Sequence, residues 1–428
     1  MTQSNNVYNL AFQTWLHGSD FRKRRERNKR FTFGDQWSEM VRDRAKIVSE
    51  EDEARNHGRI PISNNLIGQL VRTIVGRFRA SVIDAKQYDD GISERNSLRE
   101  LDGRMMEEFL ISGAAIQKIS IDSRGGAEEV WVDNIDPQKF FVNAYRDPRG
   151  LDIDFAGELL DLSVPEIIAR YGKGRPDTIE AIADLCRRHA EGLSRQPGFF
   201  GDENTVLDFH RSDVPGKLRV AEVWTREFNS DLTATQWVCR VFLGRGALLD
   251  SFPSPYAHGS HPYAVKLYPL IDGEIHSYVE SLVENQRYIN RLLSLVDHIM
   301  ATSAKGALLF PIELLSQEIP IEEVCKRWAQ PDSVIPIITA HGNGTIPMPQ
   351  QISAKGGADN AYQLLSTQLR LFEKNSGVSA VLTGDQISGA HGADAYRARM
   401  EAAGIVLLDI LESFADFRKN RDRKIVHL

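Results

Sequence analysis

Residues 276 to 304, HSYVESLVENQRYINRLLSLVDHIMATSA, place Val279, Leu282, Gln286, Ile289, Leu293, Val296 and Met300 at alternating gaps of three and four. That spacing draws one stripe along a long amphipathic helix, with Glu280, Glu284, Arg287, Arg291 and Asp297 off the stripe. A second stripe comes late in the chain, through Met400, Ala403, Leu407, Ile410, Phe414 and Phe417. Residues 306–357 between them hold Pro311, Pro320, Pro331, Pro336, Pro347 and Pro349. Proline cannot sit inside a helix without removing a hydrogen bond, so this middle is an excursion between two rods, with a shorter helix expected over about 358–376. Taken alone, each stripe also suits the core face of a plain helical bundle.

The first 270 residues read differently. Pro61 favours an extended start, and Asn64 or Asn65 can cap a helix over about 65–80 that carries Leu66, Leu70, Ile74 and Phe78 on one side. Another helical pattern, Leu98, Leu101, Met105 and Phe109, stops at Gly113. AAIQKISID and AEEVWVDNID alternate around Gly125-Gly126, as a hairpin does. Ser163 with Glu166 forms a capping-box pattern ahead of one or two helices over 163–193. Residues 196–217, rich in Gly, Asp and Pro, read as a loop, and strands return at 218–228 and 236–250. The fold class is therefore α+β. Residues 1 to about 57 are polar, and their basic run Arg22 to Arg30 reads as a solvated helix face, with a grip on phosphate as the sharper alternative.

A formal net charge of −7 argues against a protein whose task is to hold nucleic acid tightly, because such binding comes from many cation–phosphate contacts. No run of about 18 apolar residues and no basic-then-apolar leader is present, so a cytosolic protein is expected. Cys186, Cys239 and Cys325 form no CxxC pair and read as ordinary thiols in a reducing compartment. Enzyme motifs are missing: no GxxxxGK[ST], no HExxH and no GxSxG. Asp89-Asp90 and Glu128-Glu129 sit in turn or hairpin settings and read as surface acids; SAKGGAD, Ser353 to Asp359, reads as a hinge. No catalytic residue, metal or cofactor is expected.

In order along the chain stand GDQW, PISNNLIG, NIDPQKFFVN, AEVW, ENQRYINRLLSLVDH, the Pro-rich excursion, and SGVSAVLTGDQISGAHGADAYRARMEAA. Each piece is short, but their order over roughly residues 30–420 resembles the portal proteins of tailed bacteriophages. The resemblance implies a structural protein and no enzyme: a ring, of twelve copies in the family, at one capsid vertex, through which double-stranded DNA is packaged and ejected.

It also implies a layout. Residues 1–270 would be the wing, 271–305 the first stem helix, 306–357 the clip, 358–383 the second stem helix, 384–392 the tunnel loop and 393–428 a long wing helix, with the family's crown short or absent. The tunnel loop, Gly384, Asp385, Gln386, Ile387, Ser388, Gly389, Ala390, His391 and Gly392, would touch passing DNA without holding it. Its glycines allow backbone freedom and Asp385 would repel phosphate, while a lone His391 reads most simply as solvated. Val279, Leu282, Ile289, Leu293, Val296, Leu407 and Ile410 would pack against neighbouring subunits, and Glu318, Glu322, Glu323, Lys326 and Arg327 of the clip would dock the large terminase subunit. Further partners would be capsid and scaffold proteins and tail or head-completion proteins, in the host cytoplasm during assembly and then in the virion. The alternatives are a phage DNA-processing enzyme such as a metal-dependent nuclease, and a scaffold or adaptor that forms no ring.

Overall fold

The computed structural model describes residues 2–43, 46–84, 91–122, 124, 126, 128–194, 209–228, 234–303, 307–309, 320, 322–324, 350–352, 357–378 and 393–428. In chain order its elements are α1 (Thr2–His17), α2 (Ser19–Phe33), β1 (Met40–Asp43), β2 (Lys46–Ser49), α3 (Glu50–Asn56), α4 (Leu66–Asp84), α5 (Gly91–Arg95), α6 (Leu98–Ser112), β3 (Ala114–Asp122), β4 (Glu129–Asn134), β5 (Phe140–Val142), β6 (Phe155–Leu162), α7 (Val164–Tyr171) and α8 (Pro176–Ser194). They continue through β7 (Leu218–Phe228), β8 (Thr235–Leu243), β9 (Ala247–Pro253), β10 (Tyr263–Leu267), β11 (Pro269–Ile271), β12 (Glu274–Ile275), α9 (Glu280–Ser303), β13 (Ala307–Leu309), β14 (Gln350–Ile352), α10 (Gly357–Ser376) and α11 (Ala393–Val426). The class is mixed helix and sheet, as the sequence pattern implies.

Two compact units divide the chain: Met1–Phe33 with Ile67–Val283 and Gly377–Leu428, and Gly34–Leu66 with Glu284–Ser376. Residues 34–66 thus pack with the later helices, although by sequence order they belong to the N-terminal body.

In the first unit an antiparallel sheet runs β5-β6-β7-β8-β9. One of its faces meets α1, through Val7, Tyr8, Ala11 and Trp15 against Phe155, Leu159, Ala221, Val223 and Phe242. The other supports a larger core that includes Ala156, Leu162, Val220, Trp224, Cys239 and Val241 together with Ile167 of α7 and Ile182 of α8. Coverage on both sides explains why eight successive residues of β7 are buried without alternation. A second sheet, β10-β3-β4, packs beside α11, whose Phe414 lies 5.2 Å from Phe78 and 5.7 Å from Phe109.

The local signals act as expected at several points. Gly113 closes α6 in the left-handed region at φ 77°, where a Cβ would meet the carbonyls of Tyr268 and His276 at 3.1 and 3.2 Å. Ser163 and Glu166 form a complete capping box on α7. The stretch 236–250, expected as strand throughout, is a hairpin instead: β8 turns into β9 at Gly244 and Gly246, both at positive φ.

The basic run is a solvated face only along Lys23, Glu26 and Lys29. Arg22 and Arg25 are buried; Arg22 donates to the Trp15 carbonyl at 2.7 Å and lies over the Trp15 ring, and Arg25 pairs with Glu108 at 2.8 Å and Asp136 at 3.1 Å. Arg24 and Arg27 approach Glu280 at 3.6 and 3.8 Å. Every third or fourth position of α2 faces inward, so the run supplies buried ion pairs where core burial would otherwise be apolar.

Candidate functional site

The second unit assembles around α9. Gln286, Asn290 and Ser294 recur every four residues on one side of this helix and are buried. Each meets one alternate backbone N–H of the segment before α4: Leu66 donates to Gln286 Oε1 at 3.0 Å, Asn64 to Asn290 Oδ1 at 3.2 Å and Ile62 to Ser294 Oγ at 2.9 Å. The match is geometric. Two residues of extended chain rise about 6.6 Å and four residues of helix about 6 Å, so an extended strap can be fastened to a helix at regular intervals. Pro61 keeps this segment from becoming helical.

The stripe is tied together from within as well. Gln286 Nε2 donates to the Asn64 carbonyl at 2.6 Å and to Asn290 Oδ1 at 3.0 Å. Asn290 Nδ2 donates to Gln36 Oε1 at 2.6 Å, and Gln36 Nε2 to Asn65 Oδ1 at 3.1 Å. Beside this run Arg287 pairs with Glu39, with Glu50 at 3.2 Å and with Glu284 at 3.0 Å, while Arg291 meets Glu50 at 2.9 Å. Glu50 opens α3, where helix N-termini favour a negative charge; burial pushes its carboxyl above the usual range, and Arg291 pulls it back. A polar pocket of about 190 Å³ lies alongside, lined by Trp37, Glu53, Ala54, Arg59, Arg291 and Ser294.

Thus GDQW (Gln36, Trp37), PISNN (Ile62, Asn64, Asn65) and ENQRYINRLLS (Gln286, Asn290, Arg291, Ser294) build one hub. The stripe reading named Gln286 only as a seam position and passed over Asn290 and Ser294. The signal was present as three polar residues at four-residue spacing on an otherwise apolar helix side.

The residues expected to form a subunit interface on α9 and α11 differ in their burial within the chain. Val279, Leu282 and Ile289 are fully buried within the chain, and Leu407 and Ile410 nearly so. Their surface is spent on intrachain packing. Leu293 and Val296 are half-buried. Helix α9 starts at Glu280, whose N–H is received by Ser277 Oγ at 3.0 Å.

Residues 384–392, expected as a tunnel loop, lie outside the described residues, as do Glu318, Lys326 and Arg327, expected in a clip, and the acids Asp89 and Asp90. Glu322 and Glu323 share one helical turn after Pro320, with Glu322 exposed. Glu129 pairs with Arg95 at 3.0 Å. Gly357 to Asp359, expected as part of a hinge, form the first turn of α10.

Among the described residues, no three of His, Cys, Asp and Glu gather as ligands for a metal ion, and no helix is long and apolar enough to cross a membrane. No protein-family model matches the sequence, and no curated protein matches it.

Proposed function

We propose that the chain is a portal subunit of a tailed bacteriophage, a structural protein that closes with copies of itself, twelve by the family pattern, into a ring at one capsid vertex. Double-stranded DNA enters and leaves through the ring. The terminase motor docks on the clip during packaging, capsid and scaffold proteins surround the wing, and tail or head-completion proteins follow, first in the host cytoplasm and then in the virion.

One observation carries the reading. Three of the segments on which the resemblance rests, up to 254 residues apart in sequence, meet at side chains around α9. Unrelated coincidences of short motifs have no reason to converge in space. With Val279, Leu282 and Ile289 buried, lateral packing between copies belongs to exposed apolar residues such as Tyr288 and Met300 of α9 and Tyr362 and Leu371 of α10.

Light scattering on the concentrated protein, with negative-stain images, tests the proposal. Twelve copies of the 48.2 kDa chain give a particle of about 580 kDa with an axial hole. A species that stays at the mass of one chain, with no ring in the images, rejects it.

A further inference from the structure

The end of α11 meets the loop after β9 at a cluster of nitrogen bases. Lys424 donates to the His261 carbonyl at 2.5 Å and has no ion pair among the described residues. The His258 N–H donates to the His427 carbonyl at 3.1 Å, so loop and helix end are also tied backbone to backbone.

The two imidazoles are fixed in their neutral form by geometry. His258 Nδ1 accepts from the Ser260 N–H at 3.1 Å, and His261 Nδ1 accepts from the Tyr263 N–H at 3.2 Å. A backbone N–H can only donate, so each Nδ1 must be without a proton. Protonation there would set one N–H against another. Around them, His261 is buried with its ring 4.8 Å from Trp237, and His258 stacks on Tyr256 at 5.2 Å.

The charged and titratable groups facing the joint offer no counter-ion. The loop contributes Tyr256, His258 and His261; β10 contributes Tyr263 and Lys266; β3 contributes Lys118, already paired with Glu158 and Glu222. Asp102 of α6 is taken by Arg418 and Arg421, and Asp422 of α11 by Arg421. Arg423 and His427 complete the set on the helix itself. New positive charge at this joint therefore meets the His261 carbonyl and other nitrogen bases but no carboxylate.

We propose that the joint is a proton-operated latch, in which proton uptake by Lys424, His258 and His261 releases the last turn of α11 from the loop at residues 254–262. The opening is confined to that turn, because Arg418 and Arg421 hold the helix to Asp102 and Phe414 and Phe417 are buried just before them. The latch stands apart from the portal reading and would work in a chain of any function.

The electrostatics agree in sign. Burial lowers the Lys424 amine to about 7. Burial, joined by Lys424 and His427, lowers His258 to about 4, and His261 is depressed by burial, Lys424 and His258. A base whose pKa is lower when docked penalises docking below its ordinary value, and the penalty is complete once pH falls past the docked value. Opening through Lys424 therefore grows about tenfold per pH unit as pH falls from about 10 to 7 and then levels off; His258 adds a second rise between about 6.5 and 4.

Hydrogen exchange on the full chain, read at residues 422–428 with the β7 peptide as internal reference, tests this. Wild type and Lys424→Met are compared at about pH 9, 7 and 5, so that intrinsic exchange rates cancel at each pH. The expected result is a wild-type to variant ratio of exchange that rises about fiftyfold from pH 9 to 7. Should Lys424→Met leave the end unprotected at every pH, His258→Gln decides, since Gln can still accept from Ser260: the wild-type to variant ratio rises about twentyfold from pH 7 to 5. A ratio that does not change with pH overturns the latch.

Discussion

Glu158 and Glu222 stand directly opposite one another on β6 and β7, an arrangement that like charges make unfavourable. Lys118 resolves it from the other sheet: its ammonium reaches both Glu222 oxygens at 2.8 Å and contacts Glu158, and Trp224 Nε1 donates to Glu222 at 2.8 Å. Burial alone would raise both carboxyls. It leaves Glu158 raised, whereas the Lys118 charge and hydrogen bonds hold Glu222 below its ordinary value. Replacing Lys118 by Met strands two buried carboxylates side by side, and the expected loss is about 3–5 kcal/mol at neutral pH, read by urea unfolding. With the cation gone, burial is left to raise both carboxyls, so the penalty is expected to be larger at neutral pH and to relax as pH falls and they take up protons. Equal losses near pH 7 and pH 5 would contradict this account. Nothing in the sequence announces the triad, since its members lie 40 and 104 residues apart and meet only through strand register.

At the scale of elements, the strap on α9 is held by side chains that substitute for a β-ladder. Gln286→Ala removes the side-chain acceptor for Leu66 N–H and the side-chain donor for the Asn64 carbonyl, leaving these two groups only their bond to each other, at about 0.5–1.5 kcal/mol for each bond lost. The expected consequence is faster hydrogen exchange over residues 60–66 with helix content unchanged. Tyr288→Ala on the same helix, at a side chain 41% exposed, should alter exchange there by less than about 0.5 kcal/mol. Equal effects of the two substitutions would remove the zipper as the cause.

Elements with local punctuation were legible beforehand: α6 ending at Gly113, the β3–β4 hairpin, the capping box on α7 and the long α9. Those that depend on tertiary partners were not. Helix α1 hides Val7, Tyr8, Ala11 and Trp15 among polar residues, and its aromatic side meets Phe209 and Phe242, far away in sequence. The stripe of α11 ends at Phe417, and what holds the helix beyond it, Arg418 and Arg421 on Asp102 and then Lys424 on the His261 carbonyl, depends on partners distant in sequence. Of the hub, the three motifs were legible as pieces and their meeting was not.

For the whole molecule, the proposed portal reading raises the question of how a chain of net charge −7 would meet DNA. The arginines of one side of its densest basic stretch are spent internally: Arg22 on Trp15, Arg25 on Glu108 and Asp136, and Arg24 and Arg27 beside Glu280, while Lys23 and Lys29 are exposed. On α9, Arg287 and Arg291 are likewise answered by Glu39, Glu50 and Glu284. Affinity for duplex without sequence preference scales with the number of phosphates neutralised, each contributing about −0.9 to the slope of log affinity against log salt. Pairing of these arginines, together with the excess of acidic over basic residues, lowers that number. The purified chain is therefore expected to bind a labelled duplex more weakly than about 10 µM at physiological salt, with a salt slope shallower than about −3, measured by fluorescence anisotropy. On the proposed portal reading that weakness would suit a ring through which DNA slides, since tight contacts would brake its movement in both directions. Tight binding with a steep salt slope would show that arginines now assigned to buried pairs are available to phosphate, and the account of α2 would fall with it.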